Sequence, residues 1–464
     1  MYKNLLERLE ISIIDFSQLN EEIRYEAEYF SKKTLHLFKV LRTKDTVLVG
    51  EMADVTDGLH TSIDYDNDSP INLLSATSPR ENYFDLSRGA KISEKAHNLN
   101  PRTALRKNDV IISTVGTIGN CAVVDDSVLP ANSDRHIGII RINSTYSPYV
   151  LSTFLLSKYG RMQTNRETTG NVQQNLFLYK IREITIPNFT ANLQHSIEYT
   201  VKKAQNDLQN AKGLYSSAES LLTHELGLDA WQPSRKQISV RSYQNIIKSG
   251  RIDAEYYQPK YDEIANKMKK IGNGYVETEC NIFDKNVNPD KATEYKYIEL
   301  ANIGTSGEIT GCTVNKGAEL PMRARRIVHS GNIIISSIEG SLQSCALITD
   351  DYDGALCSTG FYVLDSDKIN SETLLVLFKS APIQALLKQQ CTGTILTAFS
   401  KDGLQSIPIP AIKEGLQTTI QKNIQESFAL RRHSSKLLEA AKHAVEIAIE
   451  QDEKTAMKYL SNVI

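Results

Sequence analysis

The chain of 464 residues repeats itself once, at a constant offset that relates Pro187 to Pro410. The segments EITIPNFTANLQ and SIPIPAIKEGLQ correspond at this offset, and Leu193 matches Leu416. The same offset relates apolar positions before and after these segments over most of the chain. Because chance does not hold one offset over so many apolar positions, the sequence predicts two tandem copies of one unit. The period is far too long for a solenoid, so we expect a pseudo-two-fold dimer within a single chain.

Composition restricts the class of protein without deciding its function. The chain is 41% hydrophobic and 23% charged, which is ordinary for a globular protein of two to four domains. Its net charge of -2 gives no general attraction to nucleic acid, so any DNA binding must come from local patches. The six cysteines form no CxxC pair, which favours a reduced, cytoplasmic chain. We find no signal-peptide core and no apolar run of membrane-spanning length, and we therefore expect no membrane contact.

Short β-branched runs and stretches with helical periodicity alternate along the chain, and their changes set the predicted boundaries. In order, we predict an N-terminal strand (ISIIDF) and helix lead-in at residues 1–44, a first strand-rich domain at 45–189, a spacer helix at 190–227, a linker and lead-in helix at 228–273, a second strand-rich domain at 274–411, a second spacer helix at 412–452 and a C-terminal tail at 453–464. The fold class is α+β, with two tandem strand-rich domains separated by two long antiparallel coiled-coil helices.

The first spacer helix carries apolar side chains at alternating steps of four and three residues, with Ala204, Ala211 and Ala218 as the small members, and the second spacer helix carries a similar apolar stripe, so that each has a seam on one side only. Such a seam is unstable alone in water, so each helix needs a partner, and the nearest candidate is the other spacer helix. The alternative is that each helix packs only on its own strand-rich domain. The seam residues are Ile197, Val201, Leu208, Tyr215 and Leu222 on the first helix, and Ile420, Ile424, Phe428, Leu438 and Val445 on the second.

The sequence contains none of the common catalytic signatures. There is no GxxxxGK[ST] phosphate loop, no HExxH or Cys/His cluster with metal-ligand spacing, and no GxSxG elbow. There is also no Asn/Asp-Pro-Pro-aromatic motif of amino-methyltransferases. The segment DGLH, at residues 57–60, is read as a loop turn and not as a catalytic pair, since the second copy shows no counterpart. These observations favour a binding protein over an enzyme, with no catalytic residues and no metal site in this chain.

The order of domains and helices resembles the specificity (S) subunits of type I restriction-modification systems over nearly the whole chain. The resemblance is carried by TDGLHTSIDY, by the pair NDVIISTVGTIGNCAVV and GNIIISSIEGSLQSCALI, and by the pair TTGNVQQNLFLYKIREITIP and CTGTILTAFSKDGLQSIPIP. It implies that residues 45–189 and 274–411 are target recognition domains, each reading half of a split DNA sequence. It also implies partners: modification subunits, which would use S-adenosylmethionine, and a restriction subunit, which would use ATP and Mg. This chain itself would need no cofactor.

Sequence reading requires side chains that reach base edges and phosphates from exposed loops. The amides of TTGNVQQN can pair bidentately with adenine, and the matching loop of the second copy differs in its side chains where the scaffold agrees. Two readers of different half-sites need such a difference, although loops also drift freely in any repeat. The candidates are Thr77, Arg80, Arg106, Thr114, Thr117, Arg135, Asn171, Gln173 and Gln174 in the first domain, and Asn302, Arg323, Arg325, Arg326, Ser337, Glu339, Ser341, Thr394 and Lys401 in the second.

Other functions remain open at this level. The chain is read first as a DNA-recognition subunit that directs a methyltransferase and a nuclease. The alternatives are the specificity subunit of a related, type II-like methyltransferase-nuclease, a methyltransferase fused to its own recognition domains, and a coiled-coil adaptor that reads no sequence.

Overall fold

The computed structural model describes residues 11–14, 16, 24, 26–87, 89–170, 173–229, 232, 234, 236 and 238–464. The chain forms two compact units. Unit 1 contains Met1–Leu208 and Arg432–Ile464, and unit 2 contains Gln209–Arg431. Both long helices run through the division, so each unit holds one half of each helix.

The strands of unit 1 form three small sheets. A four-stranded antiparallel sheet has the order β2-β8-β5-β6, a three-stranded sheet has the order β4-β3-β7, and β1 pairs with β9. The strands are β1 (Thr46–Leu48), β2 (Ala53–Asp57), β3 (Asn72–Leu74), β4 (Ala90–Lys91), β5 (Val110–Ser113), β6 (Cys121–Val123), β7 (Ala131–Ser133), β8 (Ile137–Ile142) and β9 (Thr185–Pro187).

Unit 2 repeats this arrangement with its own strands. Its sheets have the orders β11-β18-β15-β16, β13-β12-β17-β14 and β10-β19, so that its second sheet has one strand more than in unit 1. The strands are β10 (Gly274–Tyr275), β11 (Asn281–Phe283), β12 (Glu294–Ile298), β13 (Thr313–Lys316), β14 (Ala324–Ile327), β15 (Ile333–Ser336), β16 (Cys345–Leu347), β17 (Leu356–Ser358), β18 (Phe361–Asp365) and β19 (Pro408–Ile409).

Most helices occur at corresponding places in the two units, although the short helix Glu94–Leu99 has no counterpart in unit 2. In unit 1 they are α1 (Lys32–Leu41), α2 (Val49–Met52), α3 (Glu94–Leu99), α4 (Pro148–Leu156), α5 (Lys158–Arg166) and α6 (Leu178–Arg182). The helix α7 (Ala191–Glu225) follows, and then come α8 (Tyr243–Ser249), α9 (Pro259–Ile271), α10 (Val276–Glu279), α11 (Ser371–Lys379), α12 (Ala381–Gln390) and α13 (Lys401–Gln405). The last two are α14 (Glu414–Glu450) and α15 (Glu453–Val463), the latter lying in the segment predicted as a tail.

The central strand of each main sheet explains why these runs are apolar at every position. In β5, Val110 and Ile112 face the core that contains α4, whereas Ile111 faces a second core on the other side. In β15, Ile333 and Ile335 likewise face one core, and Ile334 faces another. Because successive side chains of a strand point to opposite faces, a strand covered on both faces must be apolar throughout.

The predicted antiparallel packing of α7 and α14 is confirmed. In unit 1 the Ser434 hydroxyl donates to the Ala204 carbonyl (2.7 Å), and in unit 2 the Ser427 hydroxyl donates to the Ala211 carbonyl (2.7 Å). Seven residues forward on α7 therefore correspond to seven residues backward on α14, as antiparallel helices require. Of the predicted seam residues, all are buried except Leu208 and Tyr215, which are half-buried.

Small residues at heptad spacing form the closest contact between the two helices. Ala204, Ala211 and Ala218 are fully buried on α7, and Ser427 and Ser434 are buried on α14. A side-chain hydroxyl can reach a main-chain carbonyl of a neighbouring helix only where the two backbones approach closely. The alanines of this row belong to the seam predicted from the sequence, and the two serines of the partner helix lie against them.

The strand expected in the segment ISIIDF is absent where the structure describes it. Ile11, Ser12, Ile13 and Ile14 belong to no regular element. An apolar run forms a strand only when another strand accepts its backbone hydrogen bonds, and the described part of this segment has no strand partner. Within the described residues of the lead-in, the α-helix is α1.

Candidate nucleic-acid interface

Two loops that are far apart in the sequence lie side by side in unit 1. We call residues 114–120, which follow β5, the strand loop, and residues 169–175 the Thr-Gly loop. Val115 and Asn175 form an antiparallel bridge, and the Leu176 amide donates to the Thr114 carbonyl (2.9 Å). The two polar segments that the sequence singled out in this domain therefore form one continuous surface.

The same two loops meet in unit 2. Here the strand loop is residues 337–344 and the Thr-Gly loop is residues 392–398. Ile338 and Ala398 form the bridge, and the Phe399 amide donates to the Ser337 carbonyl (3.0 Å). The Thr397 hydroxyl also donates to the Glu339 carboxylate (2.6 Å). The repeat thus preserves the pairing of the loops as well as the sheets beneath them.

Each Thr-Gly loop is closed at its base by a pair of backbone hydrogen bonds. They join Thr169 to Asn175 (3.0 and 2.8 Å) and Thr392 to Ala398 (2.9 and 3.0 Å). The glycine in each loop is required, because Gly170 has φ +112° and Gly393 has φ +127°. A Cβ at Gly170 would also lie 2.3 Å from the Gln173 carbonyl oxygen.

A side chain of α5 in unit 1, and of α12 in unit 2, binds the strand loop at an equivalent position. In unit 1, Arg161 donates to the Ile118 carbonyl (2.9 Å) and to the side chain of Asn120 (2.6 Å). In unit 2, Gln384, which is the counterpart of Arg161 in the repeat, donates to the Leu342 carbonyl (3.0 Å). The backbone of the loop is therefore fixed in both units, although the residue that fixes it differs.

Several predicted residues of unit 1 lie at this surface. Gln173, Gln174, Thr117, Thr77 and Arg135 are exposed. The Thr117 hydroxyl donates to the Ala76 carbonyl (2.9 Å), which brings the loop that carries Thr77 beside the strand loop. The backbone that follows Arg135 joins the same surface, because the Thr114 amide donates to the His136 carbonyl (3.1 Å).

Other predicted residues of unit 1 are placed differently. Thr114 is buried, with 7% of its surface exposed, because it directly follows the inner strand β5. Arg80 forms an ion pair with Asp85 (3.2 Å). Arg106 is exposed and lines a cavity with Arg141, near the end of β8 opposite to the strand loop. Asn171 lies outside the described residues.

In unit 2, most of the predicted polar side chains form hydrogen bonds or ion pairs within the protein. Ser337 donates to the Gly360 carbonyl (2.9 Å), Ser341 and Ser336 share a hydrogen bond (2.7 Å), and Lys401 pairs with Asp284 (2.8 Å). Asn302 accepts from the Glu299 amide (2.8 Å) and caps a short turn.

The three predicted arginines of unit 2 differ in accessibility. Arg326 donates to the Phe361 carbonyl, and Arg325 donates to the Met322 carbonyl (3.1 Å) and to the Asn288 side chain. Arg323 is exposed, as is Thr394 at the tip of the Thr-Gly loop.

Sequence reasoning missed two exposed groups next to these loops. In unit 1, the rings of Phe177 and Tyr179 stack at 6.0 Å, and the two residues are 49% and 45% exposed. In unit 2, Ile395 is 100% exposed and Leu396 is 66% exposed at the loop tip. These residues stand out because their apolar side chains are exposed beside polar loops. Composition and periodicity do not predict exposure, so the sequence could not identify them.

Cys121 and Cys345, at matching places in the repeat, are both fully buried. Burial raises the pKa of the Cys121 thiol to about 12 and that of Cys345 to about 11, so both stay protonated and weakly nucleophilic at neutral pH. Among the described side chains, no group of three or more His, Cys, Asp and Glu residues is arranged to hold a metal ion. In DGLH, Asp57 ends β2 and is bound by both His60 and Arg102, and Leu59 forms a bridge with Asp134, so the segment is extended and is not the predicted loop turn. Over the same part of the chain, no helix has the length and apolar character needed to cross a bilayer.

Comparisons with known proteins were made on sequence and on structure. No protein-family model matches the chain, and no curated protein matches it. The structural neighbours are S subunits of type I restriction-modification systems. The type I restriction-modification S subunit from M. genitalium aligns with 14% identity and a TM-score of 0.40, covering 89% of this chain and 95% of that chain. The HsdS subunit from Thermoanaerobacter tengcongensis aligns with 14% identity and a TM-score of 0.28, covering 88% and 96%. A chain from a study of complex assembly in a type I R-M system aligns with the same identity and TM-score, covering 88% and 97%.

Proposed function

We propose that this chain is the DNA-recognition subunit of a type I restriction-modification complex in the cytoplasm. Each unit reads one half of a bipartite duplex target through its strand loop and Thr-Gly loop. Modification subunits, which use S-adenosylmethionine, methylate adenine in the target, and a restriction subunit, which uses ATP and Mg, cleaves the DNA. The chain itself is non-catalytic and holds no cofactor.

The observation that carries this proposal is a duplicated scaffold with different exposed side chains. The two Thr-Gly loops have the same backbone closure, yet one presents Gln173 and Gln174 and the other presents Thr394, Ile395 and Leu396. Amide side chains suit adenine edges, and apolar side chains suit the thymine methyl group. Two loops with the same backbone scaffold and different exposed side chains are suited to recognising the two different halves of a split DNA sequence.

The proposal is tested by mapping methylated bases in cells that carry the modification subunits, with and without this chain. We expect a bipartite adenine motif with an unspecified spacer only when the chain is present, because base contacts specify sequence and phosphate contacts do not. A motif that appears without the chain would contradict the proposal. Binding of a labelled methyl donor by the isolated chain would favour the fused-methyltransferase alternative, and filter binding without sequence preference would favour the adaptor.

The amides of the first Thr-Gly loop should specify part of one half-site. We expect Gln173→Ala or Gln174→Ala to cost about 1–3 kcal/mol of discrimination at one base position, because a bidentate base contact is lost. Discrimination is measured by competition between target duplexes that differ in single base pairs. Gln209→Ala, which removes an exposed glutamine from α7, is the matched control and should leave discrimination unchanged. Equal losses in all three variants would contradict the assignment.

A further inference from the structure

A short motif that precedes each strand-rich domain makes the same contacts in both units. It reads Arg-x-Glu-Ala-Glu-Tyr from Arg24 and Arg-x-Asp-Ala-Glu-Tyr from Arg251. We call it the lead-in motif. It lies in the lead-in segments 1–44 and 228–273, which were predicted to stand outside the strand-rich domains, and the function proposed above does not use it.

In unit 1 the Arg24 guanidinium joins three parts of the structure. It donates to the carbonyls of Arg166 (3.0 Å) and Thr168 (3.2 Å), which lie at the end of α5 and just beyond it. It is held by the Glu26 carboxylate (3.0 Å) and lies 4.6 Å from the centre of the Tyr29 ring. Only 12% of the Arg24 side chain is exposed.

In unit 2 the Arg251 guanidinium makes the equivalent set of contacts. It donates to the carbonyls of Gln389 (3.2 Å) and Cys391 (3.1 Å), at the end of α12. It is held by the Asp253 carboxylate (2.8 Å) and lies 4.5 Å from the centre of the Tyr256 ring. The Arg251 guanidinium also lowers the pKa of Asp253, which keeps that carboxylate charged.

The acceptor carbonyls are the same two positions of the repeat. Arg166 corresponds to Gln389, and Thr168 corresponds to Cys391, both at the offset that relates Pro187 to Pro410. In each unit the Thr-Gly loop begins at the very next residue, Thr169 or Thr392. Because the arginine binds the same two carbonyl positions in both units, the contact is a conserved feature of the repeat and not a chance surface contact.

Physical chemistry explains why an arginine is suited to this position. The last carbonyls of a helix have no partners within the helix, and a cation there interacts favourably with the helix dipole. The guanidinium is planar and offers its donors in a rigid fork, so it fixes two carbonyls relative to each other. Fixing both carbonyls sets the direction in which the chain leaves the helix and enters the Thr-Gly loop.

We propose that Arg24 and Arg251 are positioning residues for sequence reading, each fixing the Thr-Gly loop of its own unit. The lead-in motif is then a working part of each recognition domain. This inference rests on the proposed function. A purely structural helix cap would stabilise the unit without influencing which bases are read, and the experiment must separate these two roles.

The test uses the full chain assembled with its modification subunits and selection of bound duplexes from a random-sequence library. We expect Arg24→Ala to lower base discrimination at least tenfold at positions of one half-site and to leave the other half-site unchanged. Arg251→Ala should do the reverse. Arg24→Lys keeps the charge but cannot fix both carbonyls in one fork, so it should restore less than half of the lost discrimination, expressed on a logarithmic scale.

The control is Val201→Ala, which weakens unit 1 in the helix seam and lies outside the strand loop, the Thr-Gly loop and the lead-in motif. It should lower the thermal midpoint without lowering discrimination. Unchanged discrimination in Arg24→Ala, together with a lower midpoint, would show that the arginine is only a helix cap. If a single arginine variant lost base discrimination at both half-sites, the proposal that each arginine positions only the loop of its own unit would be wrong. If the complex built with the unsubstituted chain selects no bipartite sequence, the proposed function is wrong, independently of the results for the arginine variants.

Discussion

On the function proposed above, exchanging residues 45–189 for the corresponding domain of a type I specificity subunit should replace one half of the recognised sequence and leave the other half intact. The strand loop and the Thr-Gly loop of unit 1 both lie within this range, and their mutual contacts move with it. The methylated motif, read genome-wide in cells that carry the modification subunits, should therefore change in one half-site only. The expected effect is complete, because a different set of side chains faces the bases.

Two exchanges should be compared, one of residues 45–189 and one of residues 24–189. The longer exchange includes Arg24 together with the carbonyls of Arg166 and Thr168 that it binds. Exchange of residues 274–411 is the reciprocal control and should alter the other half-site. A motif that stays identical after either domain exchange, in a complex that still methylates, would exclude modular reading of half-sites.

Placing a carboxylate at the closest contact of the two long helices should be the most destabilising single change in the helix pair. Ala211 is fully buried, and the Ser427 hydroxyl lies 2.7 Å from its carbonyl oxygen. We expect Ala211→Glu to cost several kcal/mol of folding free energy, because the new charge is buried without a partner and the helices must separate. Urea denaturation followed by circular dichroism measures the loss.

Two variants on the same helix calibrate this result. Leu208→Glu, at a seam position that is half-buried, should cost less than Ala211→Glu, because its carboxylate can turn toward water. Ser217→Glu, at an exposed position, should stay within about 0.5 kcal/mol of the unmodified chain. Equal losses at Ala211 and Leu208 would show that the alanine and serine row is not the closest contact.

The sequence alone determined the large features of this protein, because they depend on periodic burial. The constant offset between matching positions predicted two copies of one unit, and an apolar seam on one side predicted each long helix. The heptad spacing of Ala204, Ala211 and Ala218 was also legible in the sequence, but alanine is common in helices for reasons of propensity. The sequence placed these alanines in the seam, and the structure adds that the partner helix approaches closely enough there for Ser427 and Ser434 to bind the carbonyls of Ala211 and Ala204.

The tertiary structure decided which polar side chains are available at the surface. Thr114 and Arg326 matched the predicted chemistry, yet one is buried and the other donates to the Phe361 carbonyl. The contacts of Arg24 lie 142 and 144 residues away in the chain. A local pattern records which side chains can donate a hydrogen bond, whereas the acceptor is a backbone carbonyl that only folding brings within reach. The periodicity of the sequence therefore predicts the architecture, whereas the surface formed by the strand loop and the Thr-Gly loop depends on long-range contacts that only the tertiary structure shows.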